Sequence, residues 1–235
     1  MQVYIVRYQA AHTSLSGNLI YLTIDIPDFP LDLPAATCKM TDKESYLLLL
    51  LSDANLPTGS FIASAGLEST AAHALFHVPG PPNSDILAFL RSSADTYARS
   101  ALPFARDAHR VTTAYVSGGT PELDEALGAL ARLDALYDAS TLNHVARRAS
   151  CAQGTALLTL YTRGFTRPSA LLLPNATEGA YDEEREKRAA ALIVALKLRV
   201  RRGEPDAPAG HLPVCWGVLT GALGLAIGEH PAFVP

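Results

Sequence analysis

A chain of 235 residues is long enough to form one domain or two small ones, and its 49% of hydrophobic residues can fill a sizeable core. Its formal net charge of −4 gives no electrostatic reason to expect nucleic-acid binding. The three cysteines, Cys38, Cys151 and Cys215, are widely spaced and form no C-x-x-C pair. This pattern favours a reducing, cytoplasmic compartment over a disulfide framework or a structural zinc site.

Residues 1–40 are interpreted as an N-terminal extension that we expect to be poorly ordered. They lack a basic start followed by a long apolar stretch, so they do not resemble a targeting segment. Two short apolar runs could form strands, but Pro27, Pro30 and Pro34 interrupt the residues after them. Residues 41–235 are predicted to form one all-α domain.

The run from Ser52 to Phe61 predicts a turn that leads directly into a helix. Pro57 fixes its own φ, and Gly59 can adopt a left-handed angle. The hydroxyl of Ser60 is placed to cap the free amides of a helix that begins near Phe61. Nothing in the run is a catalytic motif, so it is interpreted either as a shaped surface or as the cap of a core helix.

The helix after this turn is predicted to carry a carboxylate and a glycine. Ser64 and Glu68 lie four residues apart and would share a face, while Gly66 would let another backbone approach closely. No lysine follows Gly59 or Gly66, as a phosphate-binding loop requires. Ile62 stands where a nucleophile elbow around Ser64 would need a glycine, so neither motif is present.

His73 and His77 carry an alternative interpretation, a small all-α metal-dependent hydrolase. Their four-residue spacing on a plausible helix would let two imidazoles share a metal ion. No glutamate follows His73 and no third ligand stands nearby in sequence, so a plain surface position is the competing interpretation. Asp107 and His109, two residues apart, would face different directions on a helix. We assign no catalytic residue and no metal ligand, and we expect no cofactor.

Two helices are predicted in the middle of the chain. Asn83 to Ala98 should form a helix that ends or kinks before Pro103. Thr120, Pro121 and Glu122 supply an N-cap, a first-turn proline and an acidic second position for the next helix. The apolar stripe of that second helix consists of Leu123, Leu127, Leu130 and Tyr137.

The helix that includes Asn143 to Gly154 has the most informative polar face. Three- and four-residue steps predict that its buried stripe consists of Leu142, Val145, Ala149, Ala152, Ala156 and Leu160. The opposite face contains His144, Arg147, Arg148, Cys151 and Gln153. Because arginine makes bidentate contacts to carboxylates and phosphates, this face could bind a partner. Alternatively, Arg148 and Gln153 satisfy buried polar groups inside the bundle, for example near Glu68.

Two further helices complete the predicted bundle. From Asp182 the charges run from acidic to basic and end at Arg202, with Gly203 beyond, an order that suits the helix dipole and a glycine stop. Its buried face is predicted to be Ala189, Leu192, Ile193, Leu196 and Val200. Arg167 to Ala180 has two prolines and a glycine and is interpreted as a loop.

The segment from Leu212 to Gly228 runs for seventeen residues without a charge, the short limit for a membrane span. It contains a proline and four glycines and has no basic flank, so a buried central helix is the better interpretation. The spacing of Gly217 and Gly221 suits close helix contact, and Trp216 and Leu219 would be core residues. Since no alternation of strands with helices appears after residue 40, we predict an all-α bundle.

Four motifs in one order carry a resemblance to the UreF family of urease accessory proteins. They are Ser52-Asp53-x-x-Leu56-Pro57-Thr58-Gly59-Ser60-Phe61 with Gly66-Leu67-Glu68, Ala101-Leu102-Pro103-Phe104 with Ala108-His109-Arg110, Asn143 to Gly154, and Gly210-His211-Leu212-Pro213-Val214. The resemblance extends from Tyr46 to Ile227, and four ordered matches are more specific than any one of them. It implies a single helical bundle of the UreF type.

The resemblance also implies a non-enzymatic protein that helps to deliver nickel to apo-urease. UreF proteins form homodimers and work with UreD, also called UreH. They dock the GTPase UreG and are thought to gate its GTP hydrolysis. Ser60, Glu68, Arg148 and Gln153 match recurrent motif residues of the family, so the resemblance makes them candidates for partner or dimer contacts. No nucleic-acid or membrane partner is expected.

Beyond residues 1–40, which do not match the family, the C-terminus also departs from its pattern. UreF proteins usually continue after the His-Leu-Pro-Val segment with further helices and a tail that contacts UreD, whereas this chain stops at Pro235. We therefore expect a truncated bundle in which missing helices leave apolar surface uncovered. Such a product should be unstable or prone to aggregation when it is isolated.

Overall fold

The computed structural model describes residues 42–51, 53, 56, 66–73, 84–119, 121–166, 183–203 and 207–226. Every regular element in these ranges is helical, which confirms the all-α prediction. The helices are α1 (Asp42–Leu51), α2 (Leu67–Ala72), α3 (Ser84–Val116), α4 (Leu123–Ser140), α5 (His144–Leu160) with a π-helical turn (Tyr161–Phe165), α6 (Glu183–Arg202) and α7 (Leu212–Leu223). Helix α1 belongs to a compact unit that ends at Ser52, and the other helices belong to a second unit.

Helix α7 lies at the centre of the second unit, as predicted, and packs mainly against α3 and α5. Its buried residues are Pro213, Val214, Cys215, Gly217, Val218, Leu219 and Gly221. A Cβ on Gly217 would overlap the carbonyl oxygen of Ala105, and one on Gly221 would lie 3.0 Å from the Cβ of Thr112. The glycine pair therefore allows the close contact with α3 that its spacing predicts. Trp216 is only partly buried. None of the described helices is long and apolar enough to cross a membrane.

Helix α3 is 33 residues long and continues through Pro103. The expectation that it could end before this proline is therefore wrong. Proline removes one amide from the helical ladder, which usually breaks a helix. In the turn before Pro103, the Ser100 hydroxyl donates to the Thr96 carbonyl at 2.8 Å. Ala101 and Ala108, on either side of the proline, are buried. Tertiary packing against α7 therefore outweighs the local penalty.

Helices α4 and α6 bury most of the faces that their sequences predict, although Leu123 and Val200 are only partly buried. Leu127, Leu130 and Tyr137 are buried in α4. In α6, the residues Ala189, Leu192, Ile193 and Leu196 are buried. Helix α6 ends at Arg202, and Gly203 follows with φ of 60°. Helix α4 begins later than predicted, because Glu122 rather than Thr120 is its N-cap and makes no side-chain capping bond.

Helix α2 begins at Leu67, and the predicted helix from Phe61 through Glu68 is wrong. Gly66 has φ of 96°, a left-handed angle that a right-handed α-helix does not contain. The helix that carries Glu68 therefore does not extend back through Gly66, and the predictions for Pro57, Gly59, Phe61 and Ser64 lie outside the described residues. No atom lies within 4 Å of the position that a Cβ on Gly66 would take. Gly66 is needed for its backbone angle and not for the close approach that we expected.

The N-terminal half of α5 exposes the stripe predicted to be buried, whereas Ala156 and Leu160 in its second half are partly buried. Of the expected stripe, Leu142 and Val145 are 91% and 62% exposed, and Ala149 and Ala152 are also exposed. The buried residues are instead Ser150, Gly154, Leu157 and Leu158. The N-terminal half of α5 thus turns polar and small side chains inward, because polar groups of α4 and of the segment that enters α7 meet them there.

Several predictions concern residues outside the described part of the chain. They are those on residues 1–40, Ser60, His77, the loop from Arg167 to Ala180, and Gly228.

Candidate functional site

Asp134 of α4 holds the segment that leads into α7. Its side chain is buried, with 1% exposure. Oδ2 accepts a hydrogen bond from the Gly210 amide at 3.0 Å, and Oδ1 accepts one from the His211 amide at 2.8 Å. Gly210 has φ of 80°, an angle that favours glycine. A carboxylate from one helix thereby fixes the backbone that opens another.

Ser150 of α5 completes this support. Its hydroxyl oxygen accepts a hydrogen bond from the Leu212 amide at 3.0 Å. His211 is the N-cap residue of α7, but its side chain makes no capping bond to the helix. The first amides of a helix have no partner within the helix itself, so buried ones must find acceptors elsewhere. Here Asp134 and Ser150 provide them.

The imidazole of His211 is fully buried between α4 and α5. Nε2 lies 2.9 Å from Oδ1 of Asp138, and Nδ1 lies 3.6 Å from Sγ of Cys151. These contacts fit the tautomer in which Nε2–H donates to the carboxylate while Nδ1 accepts from the thiol. The Tyr137 ring packs edge-on against the imidazole, with 5.1 Å between centroids.

Asp138 also joins the end of α4 to the start of α5. Nε of Arg147 donates to Oδ1 at 2.8 Å, and Nη2 donates to Oδ2, so the pair is bidentate. Burial acts to raise the pKa of Asp138, but hydrogen bonds from Arg147 and His211 outweigh it and hold the pKa below its ordinary value. We refer to Asp134, Asp138, Arg147, Ser150 and His211 as the polar cluster.

Cys151, His211 and Asp138 follow one another in the order thiol, imidazole, carboxylate. A nucleophilic cysteine needs a lowered pKa. Burial, followed by the charges of Asp134 and Asp138, instead raises the pKa of Cys151. Within the described ranges, no group of three or more histidine, cysteine or acidic side chains is arranged to hold a metal ion. The chemistry that this arrangement supports is hydrogen bonding between helices.

Two motifs that lie far apart in sequence meet at the polar cluster. A Cβ on Gly154 would overlap the carbonyl oxygen of Gly210 and lie 3.0 Å from Sγ of Cys215. Gly154 therefore allows a close approach, and its partner is the backbone that enters α7. The sequence segments 143–154 and 210–214 form one contact.

The motif within α3 makes contacts near both ends of α7. The ring of Phe104 packs edge-on against Tyr137, with 5.2 Å between centroids. Nε2 of His109 lies 2.8 Å from the Leu225 carbonyl oxygen, beyond the end of α7. Asp107 is partly exposed and pairs with Arg106, so it faces away from the buried His109, as its spacing predicts. Two of the four motifs therefore contact α7, and a third motif forms its beginning.

The proposed contact residues lie at different depths. Glu68, in the first turn of α2, and Arg148, in α5, are exposed, whereas Gln153 is partly buried. The side chains of these three residues make no hydrogen bond or ion pair with another residue that the structure describes. Arg148 therefore does not satisfy a buried group near Glu68. A role in partner or dimer contacts stays a prediction for Ser60, Glu68, Arg148 and Gln153.

Sequence reasoning missed most of the polar cluster. Asp134 stands four residues after Leu130 and three before Tyr137, so it interrupts the apolar stripe of α4. A lone carboxylate on a buried face needs partners, and this was the available signal. Ser150 gave no comparable signal, because serine fits either face of a helix.

His73, half of the alternative metal pair, is exposed at the C-terminal end of α2. Its ring makes no contact that would mark a ligand among the described residues. Thus no contact of His73 supports the hydrolase interpretation.

Comparison with known proteins agrees with the fold. A family model described as UreF matches residues 83–230. The chain is 32% identical over 214 residues to "Urease accessory protein 6" of Cryptococcus neoformans var. grubii serotype A, which covers 82% of this chain and 67% of that protein. It is 26% identical over 193 residues to "Uncharacterized urease accessory protein UreF-like" of Schizosaccharomyces pombe, with coverages of 80% and 65%.

The chain thus spans about two thirds of the length of these curated relatives. No solved structure gives a significant match. The matched range nevertheless includes α3 to α7 and the whole polar cluster. The chain belongs to the UreF family of urease accessory proteins.

Proposed function

We propose that this chain is a non-enzymatic adaptor that acts in the insertion of nickel into apo-urease. It docks the GTPase UreG together with UreD/UreH and gates the hydrolysis of GTP by UreG. The observation that carries the proposal is the family match over residues 83–230, which includes every helix from α3 to α7. Nickel is the cargo of this assembly, and the protein works in the cytoplasm as a homodimer.

The distribution of polar groups supports an adaptor role. The buried ones in the polar cluster hydrogen-bond to one another or to backbone amides, so they stabilise the fold. Glu68 and Arg148 instead project from the surface and are available to a partner. A docking protein changes the state of a GTPase only by binding one nucleotide state more tightly than the other. We therefore expect different affinities for GTP-bound and GDP-bound UreG.

The test is co-purification of the chain with UreD and UreG from the same source. Glu68→Ala and Arg148→Ala should weaken the complex while they retain the wild-type circular dichroism and melting temperature. Arg132→Ala, which changes an exposed arginine on α4, serves as the matched control and should leave the complex intact. The GTP hydrolysis rate of UreG should change when the wild-type chain is added. A folded wild-type chain that binds neither protein would overturn the proposal.

A further inference from the structure

The outward side of α5 carries apolar groups that the fold leaves uncovered. We call Val145, Arg148, Ala149 and Ala152 of α5, together with Leu142 two residues before the helix begins, the outer face of α5. Leu142 and Val145 are 91% and 62% exposed, and the other three are also exposed. Residues three and four apart line one side of a helix, so the four helical members form one ridge, and Leu142 precedes it in the chain. Scattered exposed apolar residues are ordinary, but a continuous ridge on one helix marks a contact surface.

Arg148 is the one formally charged side chain of this ridge, and it is basic. Arg148 lies three residues after Val145 and four before Ala152, so it stands within the ridge. His144 is exposed at its start, and α5 contains no acidic residue. The other arginine of the helix, Arg147, is already paired with Asp138 on the inward side. The outer face is therefore apolar and basic.

A basic group follows at the far end of the same helix. Lys197 of α6 donates to Oγ1 of Thr162 at 3.0 Å, which places its ammonium beside the π-helical turn that carries exposed Arg163. Arg201 lies one turn beyond Lys197 on α6. Burial, and then the charges of Arg201 and Arg163, lowers the pKa of Lys197.

These three cations have no counter-charge in the described ranges. Arg163, Lys197 and Arg201 form no ion pair with any residue there, although the chain as a whole is acidic. Like charges that face one another are destabilising, and a partner that brings carboxylates would relieve this repulsion.

We propose that the outer face of α5 docks a protein partner whose contact surface has an apolar centre and an acidic rim. This rests on the proposed function, which requires protein partners, and it names where one of them binds and by what chemistry. A second copy of this chain is the poorer occupant, because a symmetric contact would place Arg148 against the same basic face. The apolar ridge supplies the buried centre of the contact, and the cations set its orientation and its salt dependence.

The experiment compares two double variants of the full chain. Val145→Glu with Arg148→Glu reverses the chemistry of the outer face. A glutamate in the first turn of α5 is compatible with the helix. The control is Arg132→Glu with Leu136→Glu on α4, where Leu136 is 60% exposed and Arg132 is also exposed. Both variants make the same change in charge. Purified UreG and UreD of the same source are titrated separately into each chain, at low and at high salt.

The α5 variant should lose at least tenfold in affinity for one of the two proteins, and the control should stay within twofold. Wild-type affinity for that protein should fall as salt rises. A third double variant, Arg163→Glu with Arg201→Glu, changes two exposed positions outside the ridge and should also weaken binding. This variant keeps the test decisive if the α5 variant misfolds. Equal losses in the α5 variant and its control, or none in either, would overturn the inference while the proposed function stands.

Sedimentation of the chain alone separates the remaining outcomes. A wild-type dimer that the α5 variant converts to monomer would overturn the inference, since the occupant would then be a second copy. A wild-type chain that binds neither protein would overturn the proposed function, and this inference with it.

Discussion

The two sides of α5 differ in a way that reverses the usual relation between polarity and depth. Its inward side carries Arg147, Ser150 and Cys151, each within hydrogen-bonding distance of a residue of α4 or of the start of α7. Its outward side carries Val145, and Leu142 lies just before the helix; both side chains are largely exposed. The N-terminal half of α5 therefore buries polar groups and exposes apolar ones, whereas its second half buries Leu157 and Leu158.

The difference teaches that burial depends on available partners and not on hydrophobicity alone. A polar group can be buried at little cost when its hydrogen bonds are complete, and Asp134 and Asp138 complete them here. Side-chain size matters as much as hydrogen bonding on this side, because Gly154 has no Cβ and lets the Gly210 backbone come close. The inward side is a joint between three chain segments, and the outward side is the one on which we propose a partner contact.

The largest expected effect comes from removing the carboxylate at the centre of the joint. Asp134→Ala leaves two buried amides without acceptors, so the free energy of unfolding should fall by about 3 kcal/mol. Urea unfolding followed by circular dichroism measures this change. Asp124→Ala, on the same helix but in an exposed pair with Arg199, should cost less than about 0.5 kcal/mol. Similar losses for both variants would mean that the joint does not depend on Asp134.

A smaller effect should follow from filling the space at Gly154. Gly154→Ala drives a methyl group into the backbone that enters α7, and overpacking of this kind costs about 2 kcal/mol. Gly128→Ala is the matched control on α4, because its Cβ would meet only the flexible end of Arg132 at 3.6 Å. The control should be neutral or stabilising by up to about 1 kcal/mol, owing to the better helix propensity of alanine. A Gly154 variant as stable as this control would contradict the close approach.

Protonation of Asp138 at low pH should lower the free energy of unfolding, because its ionised form makes the hydrogen bonds on the inward side of α5. An acid whose pKa is depressed in the folded state stabilises the fold above its unfolded pKa of about 3.9, and this contribution is lost as the pH falls through the folded value. The wild-type unfolding free energy should therefore drop between about pH 5 and pH 3. In Asp138→Asn it should start lower and fall less. Urea midpoints across this range test the idea, and parallel curves for the two proteins would refute it.

The sequence predicts α4, α6 and α7 well because each has a simple internal signal. Helix α6 runs from acidic to basic and ends before Gly203, and its apolar stripe is uninterrupted. The glycine spacing in α7 predicts its close contact with α3. Such features depend on neighbours within one or two turns, which are visible in the sequence itself.

The inward side of α5 could not be found in this way, because its partners are distant in the chain. Cys151 and His211 are sixty positions apart, and Gly210 and Asp134 are seventy-six apart. Counting apolar residues along α5 selects the wrong face, because nothing local shows that the Ser150 hydroxyl will meet a donor or that the Arg147 guanidinium will meet an acceptor. The left-handed angle of Gly66 is likewise a property of the folded backbone, and glycine alone does not specify it.

The smallest effect on stability is expected on the outward side of α5. It tests whether that side is free of contacts in the isolated chain. Leu142→Ser changes a side chain that is 91% exposed, so the free energy of unfolding of the isolated chain should change by less than about 0.5 kcal/mol. Urea unfolding at two protein concentrations about a hundredfold apart measures it. A large loss at both concentrations would mean that the chain itself covers Leu142, and a loss only at the higher one would mean that a second copy does. No loss at either concentration, together with weaker partner binding, would give the two sides of α5 separate roles: one holds the bundle together, and the other is reserved for a different protein.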